Sequence, residues 1–518
     1  MAESERAVSG GAVAPGSLAA LQQEHGPRYR WMLLLAVMVG TMASVMSSTI
    51  VNVAIPDMSH HFTLGQDRAQ WVTSGFMAAT TVSMLTTPWM LARLGYRLTY
   101  AVCMWVLLLS GVLGGVAQNF SLVLLARVLE GLAAGVVQPI PAIIILRAFD
   151  ETERGRASGI FGMGVVLAPA LGPSIGGVLV DWFGWRSIFF MVVPLCLGSL
   201  WLGRRFVPTT APGGVVAGDS GGRLDVLGLM LVSVGSLGLL NALVQLRQGS
   251  TVQAVLLGGV AVAALVALVV WQIVLARRAK HASAGEGDGV QPLIHPQLFR
   301  VRVFAMGNLV AAIYGTALFG STYLIPVFLQ MGLGLSASSV GVILLPAGFV
   351  LALTLAVGGR LADRMASHKL VAAGLWLLAL SFALMLTLSA PADRSVVVQL
   401  VVWSILGRVG LGLILASLNL GALRELDRSD IPQGASVVSF TRMFGGAVGV
   451  SLCGIVLQWR LEVHGVSLAA GAEAGAVADV AGRMAAFHET FLMLAALCAM
   501  AVWAAHGMKP KKPNSHHG

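Results

Sequence analysis

Few charged side chains interrupt the long apolar stretches of this sequence, and these few are the first candidates for chemistry. Arg127 and Glu130 lie in LLARVLEGLAAG (124–135). In a helix, a spacing of three residues places both side chains on one face, where they can form an ion pair. A desolvated carboxylate beside an arginine can exchange protons when its access to water changes. The alternative is a structural ion pair that orients the helix.

Two other arginines, Arg408 and Arg442, lie in apolar stretches that contain no acidic residue. Each could face an internal cavity, bind an anionic substrate or extend its charged end towards the membrane surface. We favour a structural or gating role for both.

Several patterns that resemble catalytic or binding motifs do not meet their structural requirements. The segment 172–176 (GPSIG) matches G-x-S-x-G, but that motif needs a strand before it and a helix after it. The absence of a Gly-Lys dipeptide excludes a Walker A loop. His60 and His61 lack the spacing of a metal site. We therefore expect no enzyme, no metal and no cofactor.

The elements that position these residues follow from the composition. Of 518 residues, 57% are hydrophobic and 11% are charged, whereas soluble proteins carry about 25% charged residues. A membrane span needs about 20 apolar residues, so this chain could supply up to ~14 spans. The net charge of +10 comes from single basic residues between apolar runs, which is typical of cytoplasmic loops and not of a nucleic-acid-binding patch. We predict an all-α polytopic membrane protein.

The apolar runs predict fourteen transmembrane helices. If the amino terminus is inside, 24 of the 33 Lys and Arg residues fall in cytoplasmic segments and six in outer loops, which favours cytoplasmic placement of both termini. The predicted organisation is 6 + 2 + 6 helices. Its parts are a cytoplasmic N-terminal segment (1–30), a six-helix bundle (31–203), a linker with two extra transmembrane helices (204–302), a second six-helix bundle (303–507) and a cytoplasmic tail (508–518).

A weak internal repeat indicates two related halves. PWMLARLGYR (88–97) follows the second span, and GGRLADRMASHK (358–369) follows the tenth; corresponding halves are typical of transporters. Asp363 lies at a helix end, where it could form a charge–dipole latch with another helix. The candidate cytoplasmic gate residues are Arg93, Gly95, Arg97, Gly359, Asp363 and Arg364.

In this order the motifs resemble the major facilitator superfamily, in particular its fourteen-span drug:proton antiporters of the EmrB/QacA type. The resemblance covers about residues 30–507. Two positions depart from the family pattern: Ser47 stands where an acidic residue is usual, and Pro88 and Ala92 replace a Gly and an Asp. The motifs that carry the resemblance are SSTIVNVAIP (47–56), LLARVLEGLAAG (124–135), GMGVVLAPALGPSIGG (162–177), WRSIFFMVVP (185–194), PLIHPQLFRVRVF (292–304), LIPVFLQ (324–330) and LLPAG (344–348).

The resemblance implies the major facilitator fold and proton-coupled efflux of amphipathic compounds, with the proton gradient as energy source. It implies that Arg127 faces the central cavity and takes part in proton relay; the family often has Gln at the position of Glu130. It also implies an antiporter motif at which the two halves rock and seal, although small-residue packing alone could explain these glycines. The motif residues are Gly162, Gly172, Pro173, Gly176 and Gly177.

The resemblance further implies the inner membrane as location and, as partners, a periplasmic adaptor and an outer-membrane channel. No nucleic acid is expected. Because Ser47 cannot carry a proton in the working range, the alternative is an uncoupled facilitator or importer of small organic molecules, or a membrane sensor that has lost coupling.

Overall fold

The structure, a computed structural model, describes residues 16–509 except 64–70, 212–216, 219–221, 248–250, 282–288, 391–392 and 467–476. The charge-based topology prediction includes Arg6, Arg68, Lys511 and Lys512, which lie outside the described residues. Half of the predicted N-terminal segment and most of the predicted tail also lie outside them.

The described chain is almost entirely helical, as predicted. The helices of the first half are α1 (Leu18–His25), α2 (Tyr29–His61), α3 (Trp71–Ser83), α4 (Thr87–Gly115), α5 (Phe120–Val137), α6 (Ile140–Ala148), α7 (Arg154–Phe183) and α8 (Ser187–Phe206). The linking helices are α9 (Val226–Arg247) and α10 (Thr251–His281), and the second half contains α11 (Arg302–Val327), α12 (Ala337–Arg364), α13 (Ser367–Leu384), α14 (Arg394–Ala422), α15 (Ile431–Val463) and α16 (Val477–Gly507).

Local sequence explains where these helices begin and bend. Asn119 caps α5, because its side-chain oxygen accepts a hydrogen bond from the Leu122 amide at 2.9 Å, and Asp393 caps α14 in the same way. Gly95 has a φ of 73°, which breaks α4 and separates two predicted spans. Pro139 and Pro141 lie where α5 ends and α6 begins.

By length and hydropathy, twelve helical stretches of the described residues could cross a membrane. One of them, Trp71–Gly115, contains the second and third predicted spans on either side of the Gly95 kink. The helix α7, which corresponds to the fifth predicted span, is 30 residues long but is not one of the twelve. The count of fourteen therefore stays a prediction.

The helices pack mainly within two groups. In the first group α2 packs on α7 and α8, and α4 packs on α5 and α8; in the second, α11 packs on α15, and α13 packs on α14 and α16. The linking helices α9 and α10 pack on each other, and α9 also contacts α15 and α3. The groups meet along α7 and α12. These contacts agree with two bundles and a linking pair, while the predicted boundaries stay predictions.

One feature differs from the all-α expectation: two short strands pair in parallel, β1 (Arg223–Leu224) with β2 (Val290–Gln291). They lie just before α9 and after α10. Because the two linking helices form a hairpin, the chain enters and leaves at the same side, where these backbones meet.

Segments that the charge pattern places on one side of the membrane contact one another. On the side that we call the basic face, Arg30 Nη1 donates to Asp150 Oδ2 at 2.7 Å, and Arg156 lies nearby at the start of α7. On the opposite face, Arg186 Nη2 donates to the Ala117 carbonyl at 3.1 Å. Each contact joins two segments that the prediction places on the same side, while the alternation of all loops and the assignment of the basic face to the cytoplasm stay predictions.

Candidate functional site

Arg127 and Glu130 form a buried ion pair on α5. Arg127 Nη1 donates to Glu130 Oε2 at 2.5 Å, as the spacing of three residues predicts. The side chains are 1% and 0% exposed. A charge pair sealed from water in this way is costly to break, because removing either partner leaves the other as an uncompensated buried charge.

Neighbouring helices hold the arginine in place. Its Nε donates to the Val72 carbonyl of α3 at 3.2 Å, and its guanidinium carbon lies 4.3 Å from the centre of the Phe76 ring. Two atoms of the pair, Arg127 Nη2 and Glu130 Oε1, are buried without a hydrogen-bond partner among the described residues. The pair therefore has one unused donor and one unused acceptor, which a proton or a water molecule could satisfy.

Ser47 joins this pair, which was not evident from the sequence. Its hydroxyl donates to Glu130 Oε2 at 2.9 Å, and Arg127 Nη1 lies 3.0 Å from the same hydroxyl oxygen and 3.1 Å from the Ser47 carbonyl. Ser47 occupies the position at which the family resemblance leads one to expect an acid. The carboxylate of Glu130, which belongs to α5, therefore lies next to the position on α2 where an acidic residue is expected.

The expectation that Arg127 faces the central cavity does not hold in this structure. The guanidinium points between α2 and α3, where the Ser47 and Val72 carbonyls and the Phe76 ring surround it. Hydrogen bonds to these carbonyls and contact with the ring replace the water that a cavity would supply.

Two of the antiporter-motif glycines, Gly172 and Gly176, make contacts different from those expected. A Cβ on Gly172 would lie 2.8 Å from the Thr49 hydroxyl, and one on Gly176 would lie 2.6 Å from Ile50, so both glycines let α7 approach α2 of the same half. A Cβ on Gly177 would meet no atom within 4 Å. The interpretation as the contact between the two halves is therefore wrong for Gly172 and Gly176 in this conformation, and it stays a prediction for Gly177. Pro173 lies in α7, but its side chain is outside the described part.

The contact between the halves lies nearer the start of α7. A Cβ on Gly359 of α12 would lie 2.6 Å from Gly159 Cα and also too close to the Gly155 carbonyl. Further along the same helix, a Cβ on Gly162 would lie 3.3 Å from the Leu355 side chain. Gly155 and Gly159 form a small-xxx-small pattern of the kind that permits close backbone approach in membranes. This pattern is visible in the sequence, although the sequence analysis did not single it out, and it is the signal that could have indicated the interface.

Asp363 caps α7 across that interface. Its Oδ1 accepts a hydrogen bond from the Gly155 amide at 2.5 Å, and its Oδ2 accepts one from the Arg156 amide at 2.8 Å. A carboxylate at a helix N-terminus is favourable, because the unpaired amides and the helix dipole are positive there. The expected charge–dipole latch is present in the second-half loop. Arg364 lines the adjacent cleft together with Asp363 and Arg360.

The corresponding first-half loop is held by the linker instead. Arg97 Nε donates to the Val207 carbonyl at 2.7 Å, and the Arg97 amide donates to the Pro208 carbonyl at 2.9 Å. A Cβ on Gly95 would collide with the Thr209 carbonyl. Arg93 precedes this turn in α4. The loop that lacks the family's Asp is thus fastened by backbone contacts to the chain after α8.

The other two intramembrane arginines lie in the second half. Arg408 lies midway along α14, Arg442 lies in α15, and both are half-buried. The Tyr314 phenol of α11, which is 1% exposed, interacts electrostatically with both.

An apolar cavity with convergent polar groups lies between the halves, beside the linking helix. Its volume is about 560 Å³. Helix α3 contributes Trp71 and Met77, α9 contributes Asn241, and α15 contributes Met443 and Phe444. No group of three or more potential metal-ligating side chains occurs in the described part of the chain.

The long apolar helices, the two packed halves and the cavity between them define a polytopic membrane transporter. The sequence profile of the Major Facilitator Superfamily matches residues 37–450, and the chain belongs to this family. Its membership makes the protein a transporter and not an enzyme.

Named relatives support the resemblance to the drug-transporter branch. The chain is 27% identical to the multidrug export protein EmrB of Haemophilus influenzae, over 84% of this chain and 82% of that protein. It is 25% identical to the multidrug transporter protein MdtP of Bacillus subtilis, over 83% of this chain and 76% of that protein. The solved structure of the proton:xylose symporter XylE is similar in fold, with a TM-score of 0.63 and 11% identity over 92% of this chain and 94% of that one.

Proposed function

We propose that this transporter exports amphipathic compounds in exchange for protons, with the Arg127–Glu130 pair as the proton-carrying site and no cofactor. The observation that carries the proposal is the contact between Glu130 and Ser47. In the spans of the described chain, Glu130 is the acidic side chain that lies away from the helix ends and is fully buried. It lies within 2.9 Å of the position where the resembling antiporters have an acid.

Protonation would change this site in a defined way. A neutral Glu130 loses most of its attraction for Arg127 Nη1 and can use its unpartnered Oε1 as a donor or acceptor. Arg127 would then rely on the Ser47 and Val72 carbonyls and the Phe76 ring. Because these partners belong to α2 and α3, a proton on Glu130 shifts the balance of contacts among three helices of the first half. A two-state transporter needs such a differential contact.

The contacts between the halves fit alternating access. The close approach of Gly159 to Gly359 and the Asp363 cap on α7 close the basic face. The cavity of about 560 Å³ is lined by parts of α3 and α9 nearer the opposite face. We assign this conformation as one closed to the cytoplasm, with substrate bound in the cavity by apolar and flexible Met side chains.

The excess of basic residues on one face supports an inner-membrane location with both termini cytoplasmic. Resemblance to the EmrB type adds a periplasmic adaptor and an outer-membrane channel to the proposed partners, which co-purification from membranes would test.

The direct test uses the purified chain in proteoliposomes. A fluorescent amphipathic substrate is added to the proteoliposomes, a pH gradient is imposed without ATP, and accumulation of the substrate inside them is measured. Accumulation that follows the gradient and collapses with a protonophore is expected. Transport that continues unchanged in the protonophore contradicts the proposal and favours the uncoupled facilitator, which the serine at position 47 makes the second candidate.

A further inference from the structure

Two unpaired positive charges lie near the middle of the second half. Arg408 is about 21 Å from either end of α14 at ~1.5 Å per residue, and Arg442 is about 16 Å from the start of α15. Tyr314 is about 18 Å from the start of α11. The hydrocarbon core of a bilayer is about 30 Å thick, so all three residues lie deep within it.

The charges of both arginines act on the same buried side chain of the second half. Both interact with the phenol of Tyr314, whose side chain is 1% exposed. The helices α11 and α15 also touch at this level, because a Cβ on Gly315 would lie 2.9 Å from the Gly446 amide nitrogen. Each arginine is nevertheless only half-buried. Part of each side chain is therefore accessible to another molecule.

The described residues offer these arginines no counter-charge. None of the ion pairs or side-chain hydrogen bonds of the described residues includes Arg408 or Arg442. The acidic side chains described in α11–α16 lie near helix ends or pair elsewhere: Asp363 caps α7, Asp393 caps α14, and Glu489 pairs with Arg460. The two deeply buried carboxylates of the described residues are engaged elsewhere: Glu130 pairs with Arg127 in the first half, and Asp225, just before α9, accepts hydrogen bonds from Trp271 and Gln272.

Such an arrangement favours an anion. A charged residue deep in a membrane protein usually pairs with another group or marks a substrate pathway, and the planar guanidinium suits carboxylate, sulfonate and phosphate oxygens. We propose that Arg408 and Arg442, beside the Tyr314 hydroxyl, bind the anionic group of the transported molecule. The substrates are then amphipathic organic anions. This inference rests on the proposed transport function and adds the substrate class.

The lining of the apolar cavity supports a substrate that has an anionic group at one end and an apolar body at the other. Its lining contains Met77, Phe319, Met443 and Phe444 together with neutral polar side chains, and no acidic or basic residue. Met443 and Phe444 directly follow Arg442 in α15. An apolar body can lie in this cavity, while a cationic group would meet only positive charge at the level of the arginines.

A matched pair of probes tests the site. The full-length protein is placed in nanodiscs of neutral phosphatidylcholine, and binding of 11-(dansylamino)undecanoic acid is compared with binding of its primary amide, which has the same body without the charge. We expect the acid to bind at least tenfold more tightly. Arg408→Gln and Arg442→Gln should each remove most of this preference and leave the amide affinity within about twofold. The Lys variants should keep part of it, because they keep the charge without the planar fork.

The control is Arg424→Gln, which makes the same change at an exposed position just after α14 and should keep the full preference. Unchanged amide binding shows that a variant is folded. Equal binding of acid and amide by the unmodified protein overturns the proposal, and so does a preference that survives both Gln substitutions. Loss of the preference when chloride replaces gluconate, with the Gln variants still binding the acid, assigns the arginines to an inorganic ion and also overturns it. Gradient-driven transport of a neutral dye is measured in parallel, so that failure of the proposed function is recognised separately.

Discussion

Replacement of Glu130 by Gln should uncouple transport from the proton gradient. The amide keeps the shape of the side chain, and its oxygen can still accept from Arg127 Nη1 and the Ser47 hydroxyl, which lie 2.5 and 2.9 Å from Glu130 Oε2. It cannot titrate. Substrate binding should therefore change little, while accumulation driven by a pH gradient should disappear.

The size of the effect follows from the driving force. One proton exchanged per substrate can sustain at most about a tenfold concentration ratio per pH unit, because one unit is worth about 1.36 kcal/mol. In Glu130→Gln this ratio should fall to about one. The variant should also be less stable by roughly 3–5 kcal/mol, because Arg127, 1% exposed, keeps its charge without the opposite one.

The assay is accumulation of a fluorescent substrate in proteoliposomes across a one-unit pH step, with substrate-binding affinity measured on the same preparation. Glu489→Gln is the matched control: Glu489 also pairs with an arginine, Arg460, but its side chain is 34% exposed. This control should accumulate normally. Ser47→Asp in the Glu130→Gln background should restore part of the accumulation, because it returns a carboxylate within reach of Arg127. Normal accumulation in Glu130→Gln refutes the reasoning and moves attention to Asp57, Asp181 or Glu489.

Three further outcomes are expected. Asp363→Asn should weaken the cap on α7 by about 0.3–1 kcal/mol. A cysteine placed at position 156 should then react faster with an impermeant maleimide. Unchanged labelling contradicts the latch. Gly359→Leu should prevent closure of the basic face and reduce transport, because even a Cβ would lie 2.6 Å from Gly159 Cα. The control Gly177→Ala should transport normally, because its Cβ would meet no atom within 4 Å. Equal transport by both variants contradicts a role for the close approach of α7 and α12. Reporter fusions at Pro212, at Gly285 and at the carboxy terminus should all report cytoplasm, and a periplasmic signal at Gly285 breaks the model of two extra helices.

The sequence was sufficient for the architecture because membrane helices are specified locally. A bilayer requires each spanning segment to satisfy its own backbone hydrogen bonds, so apolar runs and their flanking charges predict helices without knowledge of their neighbours. The same locality made the Arg127–Glu130 pair predictable, since both residues lie on one helix turn. The kink at Gly95 likewise separates two predicted spans within one helical stretch, as a glycine between them allows.

Contacts between distant segments could not be read in the same way. The hydroxyl of Ser47 lies 83 residues before Glu130, yet it donates to its carboxylate. Likewise, Gly155 and Asp363 are separated by 208 residues and meet only because α7 and α12 cross. For Gly172 and Gly176 the motif predicted a contact with the other half, whereas both approach α2 of their own half. A motif does not specify which neighbouring helix its small residues contact.

The sequence by itself therefore determined that this chain is a helical membrane transporter. It also predicted which segments cross the bilayer and which charges lie within them, because hydropathy and helical spacing act over a few residues. The tertiary structure alone decided that Glu130 lies at the position that Ser47 leaves without an acid, that Asp363 caps α7, and that Arg408 and Arg442 share Tyr314 as a neighbour. Those relations depend on how helices from separate parts of the chain pack, and packing is a property of the whole set of contacting surfaces and not of any one segment.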